Sequence, residues 1–481
     1  MRQTLHILRK DVRYLRGEIC LVLVLGALFV WTETHSPDPW WVEMLLTVAA
    51  GYLIARLIHA EALPGDRQFW ITRPYGWKSL LGAKLLFMLL FVNLPISVAQ
   101  LLILLADGFP LGSSFPGLLW SQVLMVLGVS LPIAALAALT SGMVPFIFTT
   151  LILLAIGFGS QQMIWSPRPL WLRQALQWPP EVEWVRDSIA ISVLAAIVLS
   201  ILYMQYKNRR TLFSRTVALG GAALGMAVYA YIPWPFAFAV QSQLSKQPID
   251  GSSLRMALDP SSMKFFPSFP QHGLQHVEVD LSIAVGGIPG GIDLQADALA
   301  ATFEGPDGRT WKSGSFDFSS PNKDSNRQGV TLHGTGLMDP SFFNEEREKM
   351  VTLQASLYIT LFGNARAKTI LLQDTPVNVM DGLQCYSDII ADVLCRSAFR
   401  WPNLLVSASV GGANPNVFTR FISYSPFPAS MHLNPIETRL ASASMLSTHE
   451  VTIIASEPLA HFRRDFEVRG VHLVDFAAVK K

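Results

Sequence analysis

The chain has 481 residues, of which 51% are hydrophobic and 15% charged, with a net charge of +2. Soluble globular chains carry about 25% charged residues, and a balance this close to neutral excludes an electrostatic case for nucleic acid as a partner. The shortage of charge is local: residues 1–240 hold long apolar runs, while 241–481 have ordinary soluble composition.

In chain order, Leu5, Leu8, Val12 and Leu15 recur at helical spacing between Arg and Lys residues. This predicts an amphipathic helix over 1–17 lying in the cytoplasmic interface; the alternative is a basic flank that only fixes topology. Apolar runs follow at 18–34, 41–59, 82–106, 117–140, 142–161, 188–206 and 216–237. A bilayer-crossing helix needs about 20 mostly apolar residues, so 18–240 reads as a polytopic α-helical membrane domain of about seven spans. The first run ends in Trp31-Thr32-Glu33, which lacks a small-residue cleavage site, so it reads as a retained span. The fourth and fifth runs meet at a short turn near Ser141-Gly142 and are together too long for one crossing. Pro132 and Pro145 inside them are tolerable in membrane helices.

Basic residues in the short connections set orientation. Arg2, Arg9, Lys10, Arg13 and Arg16 precede the first run; Arg67, Arg73 and Lys78, with Arg56 and Lys84 at the edges, follow the second; Lys207, Arg209, Arg210 and Arg215 follow the sixth. The connections carrying Glu33 and Asp38, and Asp107, have no Lys or Arg. With seven spans the amino terminus is cytoplasmic and 241–481 lie outside. The connection 162–187 is mixed in charge and rich in Trp165, Trp171, Trp178 and Trp184. It predicts short amphipathic helices dipping into the outer interface, or an irregular loop anchored there by its tryptophans.

The connection between the second and third runs reads Glu61-Ala-Leu-Pro-Gly-Asp-Arg-Gln-Phe-Trp-Ile-Thr-Arg-Pro-Tyr-Gly-Trp-Lys-Ser-Leu-Leu-Gly-Ala-Lys84. Phe69, Trp70 and Trp77 could dock a soluble partner, with Arg67 and Arg73 pairing acids; a solvated loop with an aromatic anchor is the alternative.

The order of a basic elbow (His6-Ile-Leu-Arg-Lys-Asp-Val-Arg-Tyr14), two spans, and an acidic-to-Arg-Pro connection running into Leu-Leu-Gly-Ala-Lys84 resembles the membrane (permease) subunit of bacterial type-2 ABC transporters. The resemblance covers residues 1 to about 210. It implies that Glu61, Asp66, Arg67, Phe69, Trp70, Arg73 and Pro74 belong to a coupling segment that contacts an ATP-binding-cassette ATPase subunit. It also implies a second permease subunit, in a homodimer or heterodimer, and a bacterial inner-membrane location. The region 162–187 fits the re-entrant segment of that family. The chain departs from the family in adding a seventh span and a large carboxy-terminal domain, so the substrate does not carry over. No Gly-x-x-x-x-Gly-Lys-Ser/Thr phosphate loop is present; Gly76-Trp-Lys-Ser79 lacks the glycine-rich cradle, so ATP hydrolysis falls to a separate chain. Gly221 and Gly225 in the seventh run form a small-xxx-small pair suited to close helix packing.

Beyond 241, a Ser-, Pro- and Gln-rich stretch (241–270) reads as a linker to a β-rich, sandwich-like extracytoplasmic domain over 271–481. His276 to Val285 alternates at period two. Leu299–Glu304 and Arg309–Lys312 flank Gly305-Pro-Asp-Gly308 as a hairpin. Further strands are predicted at 351–362, 368–374, 403–410, 450–455 and 466–475, and a helix at 340–349 with Asp339 as its cap. Trp311, Phe342, Phe343, Trp401 and Phe427 read as core. Cys385 and Cys395 suit a short-loop disulfide in an oxidising compartment, or two separate buried thiols; Cys20 reads as a buried apolar residue.

There is no Gly-x-Ser-x-Gly or His-Glu-x-x-His motif, and His272 and His276 lack a third ligand. No catalytic, cofactor or metal site is therefore expected. The function expected is a permease subunit of an exporter, embedded in membrane lipid and powered by a separate ATPase. The alternative is a membrane-anchored β-sandwich receptor without transport activity.

Overall fold

The computed structural model describes residues 2–35, 40–60, 76–165, 179, 182–208, 210–243, 245, 253–258, 263–271, 274–318, 322–323, 329–371, 376–380, 382–387, 393–397, 404–410, 417–422, 436–441 and 450–473. The amino-terminal half is helical: α1 (Arg2–Tyr14), α2 (Arg16–His35), α3 (Trp40–His59), α4 (Trp77–Met88), α5 (Leu94–Ala106), α6 (Leu111–Met125), α7 (Leu131–Leu139), α8 (Met143–Trp165), α9 (Glu183–Tyr203), α10 (Thr211–Tyr231) and α11 (Trp234–Gln243). Among the described residues, five helical stretches are long and apolar enough to cross a membrane: Arg16–His35, Trp41–His59, Trp77–Ala106, Ser114–Leu139 and Trp184–Asn208. These are compatible with a multi-pass membrane protein. Large apolar side chains such as Val24, Val48, Phe148 and Leu219 lie on the outside of the bundle, where hydrocarbon rather than water is their natural solvent.

Two of the long helices contain a π-helical turn directly before a proline: Leu89–Asn93 precedes Pro95, and Val126–Ser130 precedes Pro132. Proline has no N–H and crowds the carbonyl four residues back; the wider π turn absorbs that misfit without ending the helix. The two turns face each other, with the Ser130 hydroxyl donating to Asn93 Oδ1 at 3.4 Å. Nearby, Gln122 donates to Gln100 Oε1 at 2.6 Å. The third and fourth long helices are thus joined by polar contacts inside an apolar bundle, where unmet polar groups are costly.

Ring contacts, ion pairs and hydrogen bonds sort the helix ends into two sets. At one end Arg56 meets Glu18 and Tyr14, His59 meets Ala137 and Thr140, Trp77 meets Tyr203, and Arg215 donates to the Leu139 carbonyl. All the basic connections that the described residues reach gather here. At the other end Asp107 and Val182 meet the β-rich half.

Three expectations change. The sixth helix starts at Glu183 rather than near 188, because Arg186 and Asp187 are buried against the rest of the molecule instead of being solvated. The seventh run breaks after Tyr231: Pro233 cannot continue the hydrogen-bond ladder, and α11 sets off separately. The stretch 241–270, expected as a linker, contains the last residues of α11 and the first two strands.

The strands are β1 (Arg255–Leu258), β2 (Lys264–Gln271), β3 (Leu274–Gly286), β4 (Asp293–Glu304), β5 (Thr310–Ser315), β6 (Asp317–Phe318), β7 (Asn322–Lys323), β8 (Gly329–Met338), β9 (Met350–Leu371), β10 (Val377–Met380), β11 (Leu383–Ser387), β12 (Val393–Ser397), β13 (Leu404–Val410), β14 (Val417–Ile422), β15 (Ile436–Ala441) and β16 (Glu450–His472). All pair antiparallel, in sheets ordered β1-β3-β8-β6, with β2 on β3 and β7 on β8; β10-β11-β12-β15; and β14-β13-β16-β9-β4-β5. The β4–β5 hairpin forms at the predicted turn, with Gly308 at positive φ. The short helix α12 (Pro340–Glu346) is capped by Asp339, whose carboxylate accepts from the Ser341 N–H.

The pairs of strands predicted at 351–362 and 368–374, and at 450–455 and 466–475, are each one continuous strand, β9 and β16. Their shared ladder backs two cores. Leu353, Leu357, Leu361 and Val471 pack with Val279, Ile283 and Leu332 of the first sheet. Val451, Ile453 and Ala455 pack with Cys385, Cys395 and Val406. The changeover falls at Gly363, where any Cβ would strike the Leu459 side chain, and bulges in β16 flank it. Trp311 and Phe342 are buried in the first core and Phe343 packs on it; Trp401 and Phe427 lie outside the described residues.

Candidate functional site at the two ends of the helix bundle

The predicted coupling residues Glu61, Asp66, Arg67, Phe69, Trp70, Arg73 and Pro74 lie outside the described residues. The structure does describe what flanks them. Helix α1 packs on α4, the helix that leaves this connection. Its buried side is Ile7 and Asp11, continued by Leu15 just past its end. The predicted stripe of Leu5, Leu8, Val12 and Leu15 holds in part: Leu5 is exposed, and Leu8 and Val12 are half-buried against the bundle. The reason is Asp11. Its carboxylate accepts from Lys84 Nζ at 2.9 Å, with both side chains only 1% exposed, and helical spacing brings Ile7 and Leu15 inward with it. Lys84 is therefore a buried ion-pair partner rather than part of the solvated basic flank. Ser79 donates to Gln3 Oε1 at 3.4 Å along the same contact. Trp77 meets Tyr203 edge to face at 5.6 Å.

At the far end of the same helical stretch, the chain stops in a left-handed turn. The Phe109 N–H bonds the Leu104 carbonyl at 2.9 Å and the Gly108 N–H bonds Leu105 at 3.1 Å. Gly108 has φ +75°, and Phe109 packs on Leu104 and Leu118. This is the Schellman arrangement, complete with its apolar contact. It holds Asp107 3.9 Å from Arg396 of β12. Burial pushes the Asp107 carboxyl up from its ordinary value, and the Arg396 charge opposes that shift. Arg396 also lies over the Tyr386 ring, 5.0 Å from its centre. Cys385 and Cys395 form a disulfide between directly paired residues of β11 and β12, with Cα atoms 4.1 Å apart. Cys20, expected to be buried, is exposed on the outside of the bundle.

A second seam joins the halves. Tyr358 of β9 stacks on Phe238 at 4.4 Å and meets Trp234 at 5.2 Å, both from α11, with Val182, Val185 and Ala298 packed around them. Trp184, expected to anchor a loop at the interface, lies in the first turn of α9 and packs on this cluster; 166–178 lie outside the described residues. Beside the seam, Asp297, Thr360 and His461 form a chain of hydrogen bonds across β4, β9 and β16. Thr360 has one hydroxyl proton. Donated to Asp297 Oδ2, it leaves the oxygen to accept from His461 Nδ1 at 2.7 Å, which assigns the ring proton to Nδ1. Burial pushes the His461 imidazole down to about 4. The His461 backbone N–H donates to Ser245 Oγ at 3.0 Å, just past α11. With Thr360 only 2% exposed, this group ties the three strands together.

Gly221 lies against Ile197 of α9, where an added Cβ would come within 2.7 Å of that side chain; Gly225 faces open space. The two glycines are therefore not one packing face within this chain. Among the described residues, no three His, Cys, Asp or Glu side chains group to hold a metal ion. His272 lies outside the described residues.

Sequence reasoning missed the Asp11–Lys84 pair, the Asp107–Arg396 contact and the His461 group. A lysine in an apolar run was the available signal for the first. The other two depend on long-range strand pairing that leaves no local trace. No protein-family model matches the chain, and no curated protein or solved structure similar to it is found.

Proposed function

We propose that the chain is the permease subunit of an ATP-binding-cassette exporter. It crosses a bacterial inner membrane seven times, with its amino terminus in the cytoplasm and a β-sandwich domain outside. Alongside the five stretches already named, α8 and α10, of 23 and 21 residues, are the two further spans. The observation that carries the reading is the docking of α1 onto α4 through Asp11–Lys84. A basic amphipathic helix, buried by one face at the foot of the helix that leaves the 61–75 connection, is the arrangement an elbow and coupling segment require. Supporting it, the basic connections share one end of the bundle and the β-rich half occupies the other, as a positive-inside orientation demands.

In this reading two such chains, alike or different, bind two ATPase subunits through 61–75. Closure of the ATPases on ATP tilts the membrane halves against one another. The chain supplies position and path, and the partner supplies hydrolysis. The second reading, a membrane-anchored receptor, differs in having no ATPase partner.

The test is co-purification of the full-length protein with ATPase subunits encoded beside it, compared with a Phe69→Ala/Arg73→Ala double variant. An ATPase retained by the wild type and lost by the variant is expected. A folded wild-type preparation that retains none would leave the receptor reading in its place.

A further inference from the structure

The stretch Trp77–Ala106 is one 30-residue helical run through α4, a π turn and α5. At 1.5 Å per residue it is about 45 Å long, more than the ~30 Å hydrocarbon layer. It begins two residues after the 61–75 connection and ends in the turn that meets the outer half. Lys84, two turns into the run, pairs with Asp11, and Asp107, just past its end, pairs with Arg396. The outer end meets two residues of one strand rung. Arg396 and Gln384 are direct cross-strand partners, and a Cβ at Gly108 would sit 3.7 Å from Gln384 Nε2. The adjacent rung is the Cys385–Cys395 disulfide, which fixes the spacing of the two residues. The Schellman turn fixes Asp107 in its turn. The path from the inner helix end to the β11–β12 hairpin thus runs through a buried ion pair, one continuous helical run, a Schellman turn and a 3.9 Å ion pair beside a disulfide-bridged rung.

We infer that Trp77–Ala106 is a push-rod: displacement at its inner end is delivered to the disulfide-closed β11–β12 hairpin of the outer domain, which moves with the membrane helix rather than riding passively. That ATP closure supplies the displacement rests on the transport reading. The link itself does not, and by reciprocity a change at the hairpin must be felt at the inner end.

The test is amide hydrogen exchange of the full-length protein in lipid nanodiscs, with no ATPase present. An Asp11→Asn/Lys84→Met variant loosens the inner end without leaving a lone buried charge. Exchange in 383–397 is expected to quicken at least about fivefold, the lower end of typical coupling, while 350–362 keep wild-type rates. A hairpin unchanged in this variant, or a rise spread equally over 350–362, overturns the proposal. Arg396→Gln, at a half-exposed site that leaves the fold intact, supplies the reciprocal arm: exchange at 76–84 is expected to rise, and wild-type rates there also overturn it. If the ATPase co-purification fails while these responses hold, only the source of the push is lost.

Discussion

Lys84 and Asp11 meet at 2.9 Å with both side chains withdrawn from solvent, one from the first long helix after the 61–75 connection and the other from the basic helix at the start of the chain. The attraction between such charges is offset by the cost of taking them out of water, so the pair specifies the docking of α1 more than it stabilises it.

Lys84→Met alone leaves the Asp11 carboxylate buried without its cation and is expected to cost about 3–5 kcal/mol. Asp11→Asn/Lys84→Met is expected to recover most of that loss. Thermal unfolding of the detergent-solubilised protein, followed by tryptophan fluorescence, ranks the three proteins; equal melting points for the single and double variants would contradict the pair's role.

His461 makes the outer half acid-sensitive. Its folded value, about 4, lies below the ordinary 6.5, so between those values the unfolded chain binds more protons. Stability conferred by the neutral ring is complete above about pH 6.5 and is lost as pH falls toward 4. The full difference is worth about 3 kcal/mol, of which about 2 kcal/mol is gone by about pH 5. His461→Gln should flatten this part of the profile. Unfolding midpoints of both proteins at about pH 7.5 and pH 5 make the comparison, and parallel losses would rule the residue out.

The two glycines of α10 should part company. Gly221→Ala forces a methyl into Ile197 and is expected to cost about 1–3 kcal/mol. Gly225→Ala meets nothing and is expected to be neutral or slightly stabilising through helix propensity. Melting temperatures of the two variants check this. A large loss from Gly225→Ala instead would reveal a neighbouring chain packed on that face.

Much of the architecture was legible because apolar run length and strand alternation are local signals. The long apolar helices, the β4–β5 hairpin, the Asp339 cap and the Cys385–Cys395 pairing all rest on residues close in sequence. The join between predicted strands in β9 and β16 was not legible, since Gly363 and the charged residues beyond it resemble a loop until the partner strand is known. The inner face of α1 was misread for a related reason: an aspartate on a basic helix looks solvated until its lysine, 73 positions away, is found. The coupling role of residues 61–75 rests on the family resemblance alone, and these residues lie outside the described ones.

The ladder of β9 with β16 has a consequence for how the outer half comes apart. Its upper rungs line one core and its lower rungs another, and the strands pass through Gly363 without a break. Neither core can melt without stripping partners from strands the other core needs. The long strands β9 and β16 should therefore lose their pairing in one transition, as a single foldon that spans both cores.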